Sequence, residues 1–552
     1  MQSSTLWRLR VGLALLPLVA CAQRGRPEKP TLADTLLGSL NPYRTNYDVT
    51  FYDLSVQVDP VRQTITGEVV CQFRWEGGAD TLQIDLDEQL TIKGIWVDGV
   101  KARYRRVPKT RAVWVALPQS KSWAGGSSHT WQVQYGGKPR VAPRPPWDGG
   151  FVWEKTSRGK PWIGVACQGL GASVWWPLKD HLSDEPDSLR ITVCVPSPLR
   201  AVANGQPAST SRKGADSCFT YRVTYPINTY NVTFYAAPDY VTLEDTFHSA
   251  SGQVVPMRFT LLQEHARKGF PYMATEARKV LRAMEHYFGP FPPQRDGYGL
   301  VESPYYGMEH QSAIAYGNHF RKDAEWGFDY IILHETGHEW WGNHVTVSDN
   351  ADLWVQEGFC TYSEALYVEY YQGYEAALRY LTAQKTNIQN RRPIQGPKGI
   401  NYDQTHNTDI YYKAAWMLHT LRSIVNNDPV WFRMLRALQD SFSFKVTSTE
   451  EVIAFISRQL GGDYEPFFRA YLYETRPPVL QYGMEGSNGE KRLKVRCLTP
   501  ESRFDYPVEF LVDGEVKRYA VGTSWRSYAL PATVKEVRPN GRRYYFLISR
   551  VE

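Results

Sequence analysis

The sequence has no C-x-x-C pair, no internal repeat, no low-complexity tract and no marked excess of either charge. Each absence excludes something. Without paired cysteines there is no structural zinc ribbon; the seven cysteines (21, 71, 167, 194, 218, 360 and 497) are scattered, and their pairing cannot be read from spacing. A net charge of +6 over 552 residues gives no reason to expect a nucleic-acid partner. The apolar run at residues 11–20 contains Gly12 and Pro17 and falls short of the roughly 20 residues that span a bilayer.

The length implies about three or four domains. Aromatic residues are abundant, with 35 Tyr and 18 Trp, which favours half-buried strands. Arg8 and Arg10 ahead of the short apolar run, with small residues after it, form an export signal over residues 1–21. Leu18-Val19-Ala20-Cys21 resembles a bacterial lipobox, in which Cys21 is lipidated; Ala20-Cys21-Ala22 also suits an ordinary cleavage site. The expectation is a periplasmic or outer-membrane lipoprotein, or else a secreted protein, that meets a membrane only through an anchor on Cys21. Residues 22–43, with Pro27, Pro30 and Pro42, read as a tether. From 44 to 258 apolar and polar residues alternate as in strands, for example "YDVTFYDLSVQVDP" and "LRITVCVP". From 259 to 478 the spacing is helical, with a capping box at Ser448 and Glu451. After Pro477-Pro478 strands return over 479–552 and suit a small immunoglobulin-like β-sandwich. The class is a multidomain α+β protein.

The chemistry concentrates at His334-Glu335-Thr336-Gly337-His338. On a helix the two histidines lie one turn apart on one face and reach a single metal ion, while Glu335 sits about 100° round the axis, near a bound water rather than the ion. Leu333, Trp340 and Trp341 mark the helix as buried, so its polar groups need partners. Glu357, 19 positions after His338, lies in a second helical pattern and supplies a third ligand if the two helices run antiparallel. Two His, one Glu and a water make a catalytic zinc site, one ion per chain. Glu364, two turns beyond Glu357, is placed either to hold the far nitrogen of a zinc-bound histidine or simply on the surface.

These motifs together resemble the aminopeptidase N-like gluzincins, including the leukotriene-hydrolase branch, over nearly all of the chain after the signal. "HETGHEWWGNHVT" and the 18 residues separating His338 from Glu357 carry the likeness. "YYGMEHQSAIAY" stands where that family has its G-A-M-E-N strand, which puts Gly307, Met308 and Glu309 on the substrate and Glu309 on its free amine. Tyr306 replaces the first Gly, and His310 replaces the Asn. "ACQGLGAS" places Gln168 beside the amine as well. "DIYYKAAWML" makes Tyr411 the oxyanion donor, with Tyr412 as the structural alternative; Ala414 replaces a usual Gly, and Gln356 a usual Asn. The resemblance implies an N-terminal β saddle, a thermolysin-like, mostly helical catalytic domain and a terminal β-sandwich. It also implies a zinc aminopeptidase acting on peptides, with Glu335 as general base. Other readings are a zinc endopeptidase or an epoxide-hydrolase-like activity on the same fold, and a non-enzymatic envelope lipoprotein with a relic zinc site. Glu309 speaks against an endopeptidase, which has no use for an amine-binding anion.

Overall fold

A computed structural model describes residues 29–551 apart from 403, 405, 487 and 488. The export segment and Cys21 lie outside the described residues. Among the described residues, no helix is long and apolar enough to cross a membrane.

The chain first builds β-sheets. Strand Tyr47–Asp59 pairs antiparallel with Thr64–Trp75 on one side and parallel with Ser188–Pro196 on the other, inside an eight-stranded sheet among the described residues. Its alternation is visible in burial: Leu54, Val56 and Val58 face the core, while Ser55 and Gln57 are exposed. A smaller four-stranded sheet includes Gly150–Lys155 and Pro161–Ala166. It packs in the same core, around Trp175, Trp176 and Phe234. Cys194 and Cys218 face each other on paired strands and form a disulfide; Cys71, Cys167, Cys360 and Cys497 are free and buried.

The stretch read as a tether holds a helix, α1 (Leu32–Gly38). Thr31 caps it in a capping box with Asp34, a local signal that the proline count hides. The sequence also places a break at 258/259, where helical spacing begins. Strands Tyr240–His248 and Val254–Leu262, however, hydrogen-bond in one sheet with Tyr298–Glu302, Ile314–Tyr316 and Gly307–Met308. By sheet membership the catalytic unit starts near residue 240.

Helices follow: α2 (Gln263–Phe288), α3 (Tyr330–Gly337), α4 (Trp354–Gln372), α5 (Tyr374–Gln384) and α6 (Tyr412–Val425), then α7 (Asp428–Ser441), α8 (Thr449–Leu460) and α9 (Glu465–Leu472). The capping box of α8 forms as its sequence predicts. The last segment folds as two sheets, one around Val479–Glu485 and Lys491–Leu498, the other around Asp505–Val512. Tyr482 and Phe510 meet between them, and their apolar faces continue the core of the helical region.

Candidate active site

Helix α3 is short, and its start is fixed by Asp329, whose carboxylate accepts from the backbone N–H groups of Ile331 (3.1 Å) and Ile332 (3.2 Å). Tyr316 and Tyr272 donate to the same side chain. The helix ends at His338, which retains helical backbone angles, so His334 and His338 stay one turn apart. Both are buried.

The outer nitrogen of each ring is committed. His334 Nδ1–H donates to Glu364 Oε1 at 2.7 Å, and His338 Nδ1–H donates to the Trp341 carbonyl at 2.7 Å. Each Nε2 is therefore a bare lone pair. The two Nε2 atoms are 3.3 Å apart, and Glu357 Oε2 lies 3.3 Å from that of His338 and 3.7 Å from that of His334. Three electron-rich atoms crowded inside the protein repel one another unless a cation sits among them. Bonds of about 2.0–2.1 Å to a tetrahedral zinc ion would separate its ligands by about 3.3 Å. Glu357 Oε2 has no hydrogen-bond donor although it is buried. The set fits zinc.

Glu364 is buried, not on the surface. Its Oε2 accepts from Tyr380 Oη at 2.6 Å and from Gln384 Nε2 at 2.8 Å, so α5 locks the carboxylate that locks His334. Neither partner was legible in the sequence. Cys360 also lies near both histidines, but its thiol donates to the His334 carbonyl at 3.0 Å and stands 3.8 Å from His334 Nδ1, the nitrogen already committed to Glu364.

Glu335 and Glu309 each bring a carboxylate oxygen within 4.8 Å of His338 and of each other. Burial pushes the Glu335 carboxyl up to about 8. Gly307 makes room for it, since a Cβ there would lie 2.6 Å from Glu335 Oε1. Gly307 and Met308 form the outermost strand of their sheet. The Met308 side chain is buried in the core shared with the N-terminal sheets, so only its main chain can be offered to a ligand. Gln168, from the N-terminal β unit, reaches across: its Nε2 donates to Glu309 Oε1 at 2.7 Å and to Glu357 Oε1 at 2.8 Å.

At the departures from the family pattern, His310 is buried and neutral, because burial pushes its imidazole down to about 3. Tyr235 donates its hydroxyl proton to the Ala313 carbonyl, so His310 Nδ1–H must donate to Tyr235 Oη at 2.7 Å. Asn343 Nδ2, from the tail of the zinc motif, donates to the Glu309 carbonyl at 3.0 Å, just past the edge strand Gly307–Met308, a contact that no local pattern predicts. Tyr411 stands at the N-cap of α6, its ring centroid 6.2 Å from that of His334. Burial, with Glu357 beside it, raises its phenol well above the ordinary value, so it keeps its proton.

Residues 273–471, which carry α3, α4 and this donor set, match the peptidase family M1 domain. These residues carry a peptidase family M1 domain. The domain and its aminopeptidase relatives support a zinc metallopeptidase of the aminopeptidase N-like gluzincin kind, and the order of N-terminal β, helical middle and C-terminal β is the architecture shared with solved peptidase structures. The M1 domain is similar to known proteins well beyond its own limits. A leucine aminopeptidase 2 of Ajellomyces capsulatus is 22% identical over 469 residues, 77% of this chain and 69% of that protein. Mouse aminopeptidase B is 25% identical over 54% of this chain, which spans only 48% of it. Among solved structures, an M1 zinc metallopeptidase from Deinococcus radiodurans shares the fold at TM-score 0.65 and 22% identity, over 78% of this chain and 95% of that one. Legionella pneumophila aminopeptidase A does so at TM-score 0.75 and 15% identity, over 91% and 60%.

Proposed function

We propose that this protein is an aminopeptidase: it removes the first residue from peptides with a free N-terminus. One observation carries the reading, the Gln168 amide bridging Glu309 and Glu357. It sets a second buried carboxylate one amide away from the metal donors. A substrate ammonium seated among Glu309, Glu357 and Gln168 compensates that charge. It also fixes how far the chain can advance, so that only the first peptide bond lies over the donors.

One zinc ion held by His334, His338 and Glu357 would supply Lewis acidity and an acidified water. Glu335 takes a proton from the attacking water and delivers it to the leaving nitrogen. Tyr411 donates its phenolic hydrogen to the carbonyl oxygen as negative charge gathers there. The edge strand Gly307–Met308 pairs with the extended peptide backbone. Leucine aminopeptidase 2 and aminopeptidase B among the relatives support the reading, as does the tripeptide Tyr-Ser-Ala held by a mutant form of the Deinococcus protein.

Two results are expected. A peptide cut one residue at a time when its amine is free should lose at least about tenfold in kcat/KM when acetylated, since a charge-assisted contact is worth roughly 1.5–3 kcal/mol. Mass spectrometry of matched digests checks this; equal cleavage of both, or cuts at internal bonds, would replace the aminopeptidase by an endopeptidase. Second, Glu364→Ala should weaken zinc binding by about 10–100-fold, because His334 loses the partner that orients it. Competition with a chelator reads the affinity, and an unchanged value would remove Glu364 from that role.

We also assign the protein to an oxidising compartment outside the cytosol, reached through the export segment. The Cys194–Cys218 disulfide supports this.

A further inference from the structure

Helix α6, which starts at Tyr411, carries a buried cation in its first turn. Lys413 is fully buried, and its Nζ donates to the carbonyls of Glu474 and Thr475, at 2.9 Å each. Those carbonyls belong to the linker between the end of α9 at Leu472 and the strand Val479–Glu485 of the terminal sheets. Among the described residues the hydrogen bonds of this ammonium go to neutral carbonyls and to no carboxylate. Asp409 lies near it, but the Asp409 oxygens accept from the N–H groups of Gln389 (2.7 Å) and Asn390 (2.8 Å). On its other flank α6 leans on α4. A Cβ at Gly358, the residue after Glu357, would fall 2.6 Å from Ala414 Cβ and 3.2 Å from the Ile410 carbonyl oxygen. The turn that holds Tyr411 is thus wedged between the helix of a metal donor and the linker.

On stability grounds this lysine is out of place. Burial pushes its ammonium down to about 8, the mark of a charge that has lost its water. Neutral carbonyls return less than a carboxylate would. The first turn of a helix is also its positive end, where a cation is disfavoured. A methionine would fill the same space with none of these costs. What the ammonium supplies is direction. Bonds to two successive carbonyls fix the start of α6 against the linker, both along the helix axis and around it. Tyr411 has no side-chain cap bond of its own to do this.

We propose that Lys413 is a positioning residue for the hydrolysis: by clamping the Glu474 and Thr475 carbonyls it sets where the Tyr411 hydroxyl stands over the metal donors. The linker into the terminal sheets is then part of what builds the oxyanion site. The inference rests on the role given to Tyr411 in the proposed function. Tyr411 has Glu357 and His334 beside it, and its phenol must meet the substrate oxygen within hydrogen-bond distance. A misplacement of about one ångström is enough to cost such a group most of its effect. Lys413 touches no reacting atom, so it acts through Tyr411 alone.

The test is a double-mutant cycle on the full, zinc-loaded chain, with a free-amine peptide as substrate: wild type, Lys413→Met, Tyr411→Phe and the double variant. Zinc content and melting temperature show which proteins are intact. Lys413→Met should keep its zinc, lower kcat about 10–100-fold and leave KM within about twofold, since Gln168 and Glu309 lie outside α6. In the Tyr411→Phe background the same substitution should lower kcat by less than about threefold, because no phenol is left to misplace. Lys413→Gln keeps a donor for one carbonyl; it should fall between wild type and Lys413→Met, and it carries the cycle if the methionine variant does not fold. Wild-type kcat in an intact Lys413→Met overturns the inference. So does an equal loss in both backgrounds, which is what a merely structural lysine gives, or a loss confined to KM. Full turnover in Tyr411→Phe removes the role of that tyrosine and this inference with it. Cuts at internal bonds overturn the aminopeptidase reading, while the cycle, which reads hydrolysis at any bond, still decides the part played by Lys413.

Discussion

Glu335→Gln should leave the protein folded and loaded with zinc while lowering kcat by about 10²–10⁴, the range a positioned acid–base group contributes. That corresponds to about 3–5 kcal/mol of transition-state stabilisation. The substitution is nearly isosteric, and His334, His338 and Glu357 make a three-atom donor set without Glu335. Its carboxylate faces the cleft beside Gly307, where an amide cannot accept a proton. KM should hardly move, because Gln168, Glu309 and the edge strand remain. Metal analysis with steady-state kinetics checks both halves. Loss of zinc in this variant would make Glu335 a ligand, and retained turnover would place the base elsewhere.

Tyr411→Phe should lower kcat by about 10²–10³, the cost of one lost oxyanion donor, and Tyr412→Phe should change it by less than about threefold. The two tyrosines are neighbours, and sequence alone left the choice open. Their surroundings differ. Tyr411 has Glu357 and Glu309 beside it, on the side where the substrate carbonyl must lie. Tyr412 has Glu364 and Tyr330 beside it, behind His334. The side-by-side kinetics of the two variants decide the matter, and a larger loss in Tyr412→Phe would exchange their roles.

What could be read in the sequence was whatever local geometry enforces. His334 and His338 share a face because four residues make about one turn, and Glu357 with Glu364 share one because seven make about two. Both statements survive the shortness of α3, since the chain keeps helical angles as far as His338. The capping box of α8 was legible for the same reason. What escaped depends on contacts between distant segments. The Tyr380 and Gln384 bonds to Glu364 come from a third helix. The Met308 side chain turns into a core built largely from the first 240 residues. The shift of the sheet boundary to residue 240 reflects pairing partners some forty residues or more downstream, which alternation of polarity cannot name. Helix α1 was hidden because prolines and charges read alike in a tether and in a docked arm; only its capping box distinguished the two.

The Gln168 bridge has a mechanical consequence. The metal donors sit on two helices of one core, but the amide that joins them to Glu309 is carried by a different unit of the chain. Hydrogen bonds of 2.7 and 2.8 Å tolerate little sliding. A rigid-body displacement of one ångström between the units would release the amide and leave the hydrolytic atoms where they were. Under the aminopeptidase reading, fidelity to chain ends and hydrolytic power are thus separable, the first set at a seam between units and the second inside one of them. Substitutions along that seam, far from any reacting atom, would loosen the choice of bond before they slowed its cleavage.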